Sequence, residues 1–142
     1  MKNYRLLFIA LIITIGASCG RHQARLILLP DTQTYPQKYP DILDSQVNWI
    51  VRESNNITMV LQQGDLTQNN NDEQWQRVQS SFRKLDNKVP YTIAAGNHDM
   101  GSRAGKYADV RNTELFNRYF PFDNMSKLPA FAGVFEPGKM EN

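Results

Sequence analysis

The chain has 142 residues, of which 41% are hydrophobic and 21% charged, a balance that bounds it to one ordinary globular unit and excludes a disordered or fibrous chain. Lys and Arg total 16 against 14 acidic residues, with no clustered basic face of the kind a nucleic-acid partner requires.

The first segment departs from that average. In MKNYRLLFIALIITIGASCG, Lys2 and Arg5 precede an uncharged apolar run from Leu6 to Ala17, and small residues lead to Cys19. This is the pattern of a secretory leader, since a membrane-spanning helix needs roughly 20 apolar residues. Residues 1–18 are expected to be a signal peptide and 19–24 a tether, in which RHQAR reads as a solvated stretch and His22 as no ligand. Cys19 is the only cysteine, so no intrachain disulfide can form. The stretch GASC resembles the lipobox of bacterial lipoproteins, with Gly16 a departure from it. The resemblance implies lipid attachment at Cys19 and a membrane-anchored protein of the bacterial cell envelope, with a secreted or periplasmic protein as the alternative. Loss of the leader removes Lys2 and Arg5, leaving 14 basic against 14 acidic residues, a formally neutral chain.

From Arg25 the pattern alternates. RLILLP at 25–30 is a short apolar run closed by Pro30-Asp31, as expected of a buried strand. A polar, turn-rich link follows, with Pro36, Pro40 and Asp41 placed to open a helix. DILDSQVNWIVRES sets Leu43, Val47, Ile50 and Val51 at helical spacing on one face. ITMVLQ at 57–62 is β-branched and apolar, a second strand closed by Gly64-Asp65. Asn71 and Asp72 are cap candidates for a second helix, in which Trp75, Val78, Phe82 and Leu85 form a stripe. Pro90 ends that segment, and YTIAA at 91–95 is the third strand. Beyond residue 100 the sequence predicts a short helix, a loop around Pro121 and Pro129, and a strand at FAGVFE.

Strand, helix, strand, helix, strand, with near-continuous apolar strands, predicts an α/β fold built on a parallel sheet. Parallel strands release their carboxyl ends on one edge, where ligands bind in open α/β sheets. That edge receives Asp31, Asp65, and the Asn97-His98-Asp99 triplet of GNHD. Asp31 alone could cap a turn, and Gly64-Asp65 could open a loop. Three polar insertions on one edge, each behind its own strand, instead fit a cluster of oxygen and nitrogen ligands.

With DTQ behind the first strand, GDLTQN behind the second and GNHD behind the third, the chain resembles the calcineurin-like metallophosphoesterases, whose motif order is Asp-x-His, Gly-Asp and Gly-Asn-His-Asp/Glu. The resemblance covers Arg25 to about Asp99 closely and the remainder to Asn142 loosely. It implies a phosphoester hydrolase, phosphatase or phosphodiesterase, with a dinuclear centre and in-line attack by a metal-bound hydroxide. Asp65 matches the bridging carboxylate, Asp31 and Gln33 ligands of the first metal, and Asn97 an amide-oxygen ligand of the second. His98 matches the general acid or charge stabiliser, and Asp99 is expected to hold the other ring nitrogen of His98 and set its tautomer. Gly64 and Gly96 are expected to let the backbone turn sharply. The metals implied are Mn, Fe or Zn, and Gln33, an amide where the family has a histidine, favours Mn-like ions.

Residues 25–142 read as the N-terminal portion of such a domain, half of an α/β/β/α sandwich, because the only histidines are His22 and His98 and the family draws more from later strands. The alternative is a catalytically silent, envelope-tethered remnant or binding module. No Gly-x-Ser-x-Gly, Gly-x-Gly-x-x-Gly or Walker loop supports a competing chemistry. The substrate beyond a phosphoester is not written in these residues.

Overall fold

The computed structural model describes residues 23–134, together with 136 and 138. The predicted signal peptide, Cys19 and His22 lie outside the described residues. Three strands, β1 (Leu26–Leu29), β2 (Met59–Gln62) and β3 (Tyr91–Thr92), form a sheet in the order β1-β2-β3. Both pairings are parallel, with Leu26 opposite Met59 and Val60 opposite Tyr91. The expected α/β class and parallel sheet are therefore present. The strands are shorter than the apolar runs, and after Thr92 the chain leaves the ladder and runs on unpaired to Gly96.

Helix α1 (Thr34–Lys38) stands where a link was expected. The Asp31 carboxylate accepts the Gln33 amide at 2.9 Å and turns the chain into it. Pro36 fits inside this short helix because the first turn needs no amide hydrogen there. Tyr39 leaves the helical region and Pro40 opens α2 (Pro40–Arg52), as a residue before proline resists the α conformation. Leu43, Val47 and Ile50 are the buried face of α2. Helix α3 (Asp72–Phe82) starts from Asn71, whose side chain accepts the Gln74 amide at 3.0 Å, with Asp72 and Glu73 in the favourable first turn. The expected stripe of Trp75, Val78, Phe82 and Leu85 is fully buried.

Helices α4 (Glu114–Tyr119) and α5 (Phe122–Met125) close the described chain. Tyr119 stacks on Trp75 with centroids 6.3 Å apart, and Phe116 meets the same indole edge-on at 5.7 Å. The predicted strand at FAGVFE is not formed among its described residues. Gly133 has φ +126, outside the strand region, and Phe131 packs against Phe122 rather than along a neighbouring strand.

The core joins the inward residues Leu29 and Val60 to the buried faces of α2, α3 and α4. On the opposite face of β1, Leu26 and Leu28 stand 53% and 58% exposed. The strand therefore alternates, although its sequence is apolar throughout. The carboxyl ends of all three strands open toward one edge, and the polar loops follow there.

Candidate functional site

Three loops meet at that edge. The loop after β1 is joined to the loop after β2 by the Thr32 amide, which donates to the Asp65 carbonyl at 3.1 Å. The loop after β2 is joined to the loop after β3 by the His98 amide, which donates to Asp65 Oδ1 at 2.8 Å. Asp65 thus sits between the other two, and it does so at φ +51, an uncommon backbone region for a residue with a side chain. Such strain, of order 1–3 kcal/mol, persists only where the surroundings over-determine it.

The glycines of the two motifs serve different needs. Gly64 turns the chain at φ +100, and the buried Gln62 amide side chain pins it, accepting from its amide at 2.7 Å and donating to its carbonyl at 2.8 Å. Gly96 has an ordinary extended backbone at φ −88, so the expected sharp turn is not its reason. What requires glycine is space: a β-carbon there would lie 2.1 Å from Asp65 Oδ1.

Asp99 corrects the expectation that it orients the His98 ring. Its carboxylate is fully buried and accepts from the amides of Leu66, Thr67 and Gly96 at 2.9, 2.8 and 3.0 Å, and from the Thr67 hydroxyl at 2.9 Å. With four donors around it, the carboxylate staples the second loop to the third. Burial pushes its carboxyl up to about 6, against the opposing pull of those hydrogen bonds.

The group that holds His98 is Gln68. The imidazole Nδ1 lies 2.9 Å from the Gln68 carbonyl oxygen and 3.3 Å from the Gln68 side-chain nitrogen. A carbonyl only accepts, so the shorter contact is a hydrogen bond in the forms of the ring that carry a proton on Nδ1. Gln74 Oε1 fixes Gln68 in turn, accepting the amides of Gln68 and Asn69 at 2.8 and 2.9 Å. The link runs from helix α3 through Gln74 and Gln68 to the imidazole. Sequence reasoning missed Gln62, Gln68 and Gln74. Gln62 carried a signal, since it follows Val60 at the strand period and so had to face the core; nothing distinguished Gln74 from its polar neighbours.

The expected ligands are oxygen donors. Asp31 is exposed and commits one oxygen to the Gln33 amide. Asn97 is exposed beside His98. Gln33 Oε1 is buried and meets no hydrogen-bond donor, and a carbonyl oxygen of that kind is one a cation can satisfy. No group of three or more His, Cys, Asp or Glu comes together among the described residues. Asp31, Gln33, Asp65 and Asn97 follow the three strands on this edge and offer carboxylate and amide oxygens. A cavity of about 430 Å³ runs instead along β3, between Val89–Ile93 and Leu128–Val134, and includes none of these donors.

Comparison with known proteins identifies a family. The family model described as calcineurin-like phosphoesterase matches residues 24–139. The uncharacterized protein YvnB of Bacillus subtilis (strain 168) is 33% identical over 114 residues, an alignment that takes in 78% of this chain and 8% of that relative. The chain thus spans about 8% of the relative's length. No solved structure matches.

Proposed function

We propose, since the chain belongs to the calcineurin-like phosphoesterase family, that its three loops form the metal-dependent site of a phosphoester hydrolase with a dinuclear centre. The observation that carries this reading is Asp65, whose backbone stands at φ +51, whose carbonyl takes the Thr32 amide and whose carboxylate takes the His98 amide, so that it ties both neighbouring loops. Asp65 would be shared between two cations, with Asp31 and Gln33 on one side and Asn97 on the other. Gln33 biases the pair toward Mn-like ions. Bound cations supply charge neutralisation at the phosphoryl group and a lowered water pKa.

The protein's own residues do the rest. Asp31, Asp65 and Asn97 hold donors at the mouth of the strands, where a phosphoester can approach from solvent. His98 is the proton donor. Its Nδ1 is tied to the Gln68 carbonyl, so in the imidazolium form the remaining proton sits on Nε2 and passes to the leaving-group oxygen as the ester bond breaks. Asp99 has no part in that transfer, because it holds the second and third loops in register.

Outside the described residues, Cys19 is proposed as the lipid attachment point that keeps the chain at the bacterial envelope. Among the described residues no helix is long and apolar enough to cross a membrane. The intact mass of the native protein from membranes would reveal the acyl chains.

Manganese-dependent release of p-nitrophenol from p-nitrophenyl phosphate or its diester tests the catalytic reading. Turnover should fall by about 10²-fold or more in Asp65→Asn, which displaces the shared ligand. Equal turnover in the two proteins, or none in either with Mn or Zn, would sink it. The second of those results would leave the silent binding module as the better account.

A further inference from the structure

We infer that Tyr107 is a positioning residue for His98, holding the imidazole so that its Nε2 faces the leaving group; this rests on the role proposed above for His98. The Tyr107 ring lies on the imidazole with centroids 3.9 Å apart and planes inclined by 32°. Its hydroxyl lies 3.4 Å from the Gln68 side-chain nitrogen, the same residue whose carbonyl ties Nδ1. The imidazole is thus fixed along its edge by Gln68 and across its face by Tyr107. Two such restraints limit the rotation of the ring.

The loop that carries Tyr107 is built to hold it there. The Gly105 amide donates to the Asn69 carbonyl at 3.0 Å, next to Gln68, and the Ala108 amide donates to the Met100 carbonyl at 3.1 Å, next to Asp99. Tyr107 is therefore pinned on both sides to the two loops that make the site. Gly101 lets the loop close, since a β-carbon there would meet the Lys106 carbonyl oxygen at 1.7 Å. Asp109 locks the base by accepting the Ser102 amide at 2.8 Å and its hydroxyl at 2.6 Å.

Tyr107 itself is 45% exposed and belongs to no part of the core. Core packing therefore does not explain why a large aromatic side chain is held at this point. A ring that stacks on an imidazole restricts its rotation, and a well-placed ring pair is worth a factor of about ten.

Two measurements on the full chain test this. His98 and His22 are the only histidines, so the Cε1–H resonance of His98 can be followed directly, with His98→Gln supplying the assignment. In the wild type it should be displaced by the Tyr107 ring current, as it should in Tyr107→Phe, and it should return to the value of a free histidine in Tyr107→Leu. An identical resonance in wild type and Tyr107→Leu overturns the proposal, and this readout does not require turnover.

With Mn present, Tyr107→Leu should slow hydrolysis of an alkyl phosphoester, a poor leaving group that needs the proton, by about tenfold. It should slow the p-nitrophenyl ester little, Tyr107→Phe should restore the rate, and in a His98→Gln background Tyr107→Leu should add nothing. An equal loss on both esters, or the same loss in the His98→Gln background, would make Tyr107 merely structural and overturn the proposal. A wild-type chain without metal-dependent turnover would instead defeat the catalytic reading, and the resonance would still decide whether Tyr107 holds the ring.

Discussion

At Gly96 the missing β-carbon lets the third loop lie against Asp65, and the room is measured in tenths of an ångström. A β-carbon would stand 2.1 Å from Asp65 Oδ1 and 2.3 Å from the Asp65 amide nitrogen, so a carboxylate and a backbone atom would both have to move. Gly96→Ala should therefore displace Asp65, the ligand proposed to be shared, and a shift of about 1 Å at such a site costs about 10²-fold in rate. Steady-state turnover with Mn checks this, and a rate equal to wild type would contradict it. The sequence marked the motif residues, because Asp31, Asp65, Asn97 and His98 each follow an apolar run. It could not assign their partners. Asp99 reads as a ring holder by adjacency to His98, yet its backbone position turns the carboxylate inward to three amides of other residues. The partner of His98 lies 30 residues away at Gln68, a separation that no local pattern encodes.

Between helices, the described chain relies on polar links as well as the core. Asp44 on α2 accepts from the Ser81 hydroxyl on α3 and pairs with Lys84 just beyond it at 2.7 Å. The hydrogen bond from Lys84, then that from Ser81, holds the Asp44 carboxyl below the usual carboxylate range. A depressed folded-state pKa contributes stability that is present above the unfolded value and lost as pH falls through the folded one. Because the Asp44 side chain is 45% exposed, solvent screening keeps the contribution to less than about 1 kcal/mol. Asp44→Asn should lower the melting temperature slightly at pH 7, and the gap should close in acid below the ordinary Asp range. Thermal melts across that range test it, and a gap that widens in acid would contradict the assignment.

Helices α2 and α3 were legible because their apolar stripes repeat over three turns. Helix α1 was not, since its five residues include a proline and carry no period. The strands were found but overextended, because an apolar run fixes burial and not the length of a ladder. FAGVFE has strand composition, but among its described residues it has no strand beside it.

For the whole molecule, the parallel order β1-β2-β3 turns three short motifs, separated by some 30 residues each in the chain, into one site. That convergence was readable from the alternation of strands and helices, since parallel strands must end on one edge. An uncovered sheet face was expected of half a sandwich, but which residues stand on it was not readable. Leu26 and Leu28 have the composition of buried residues, yet they stand exposed on the sheet face away from the described core.

Binding of divalent cations by the converged loops is measured by the loss of free Mn signal in electron paramagnetic resonance on titrating Mn into the full chain. The wild type should bind Mn saturably, and Asp65→Asn should weaken that binding by about 10-fold or more, on the order of the effects seen when metal-site partners are removed. Binding that is absent, or equally strong after Asp65→Asn, would contradict it.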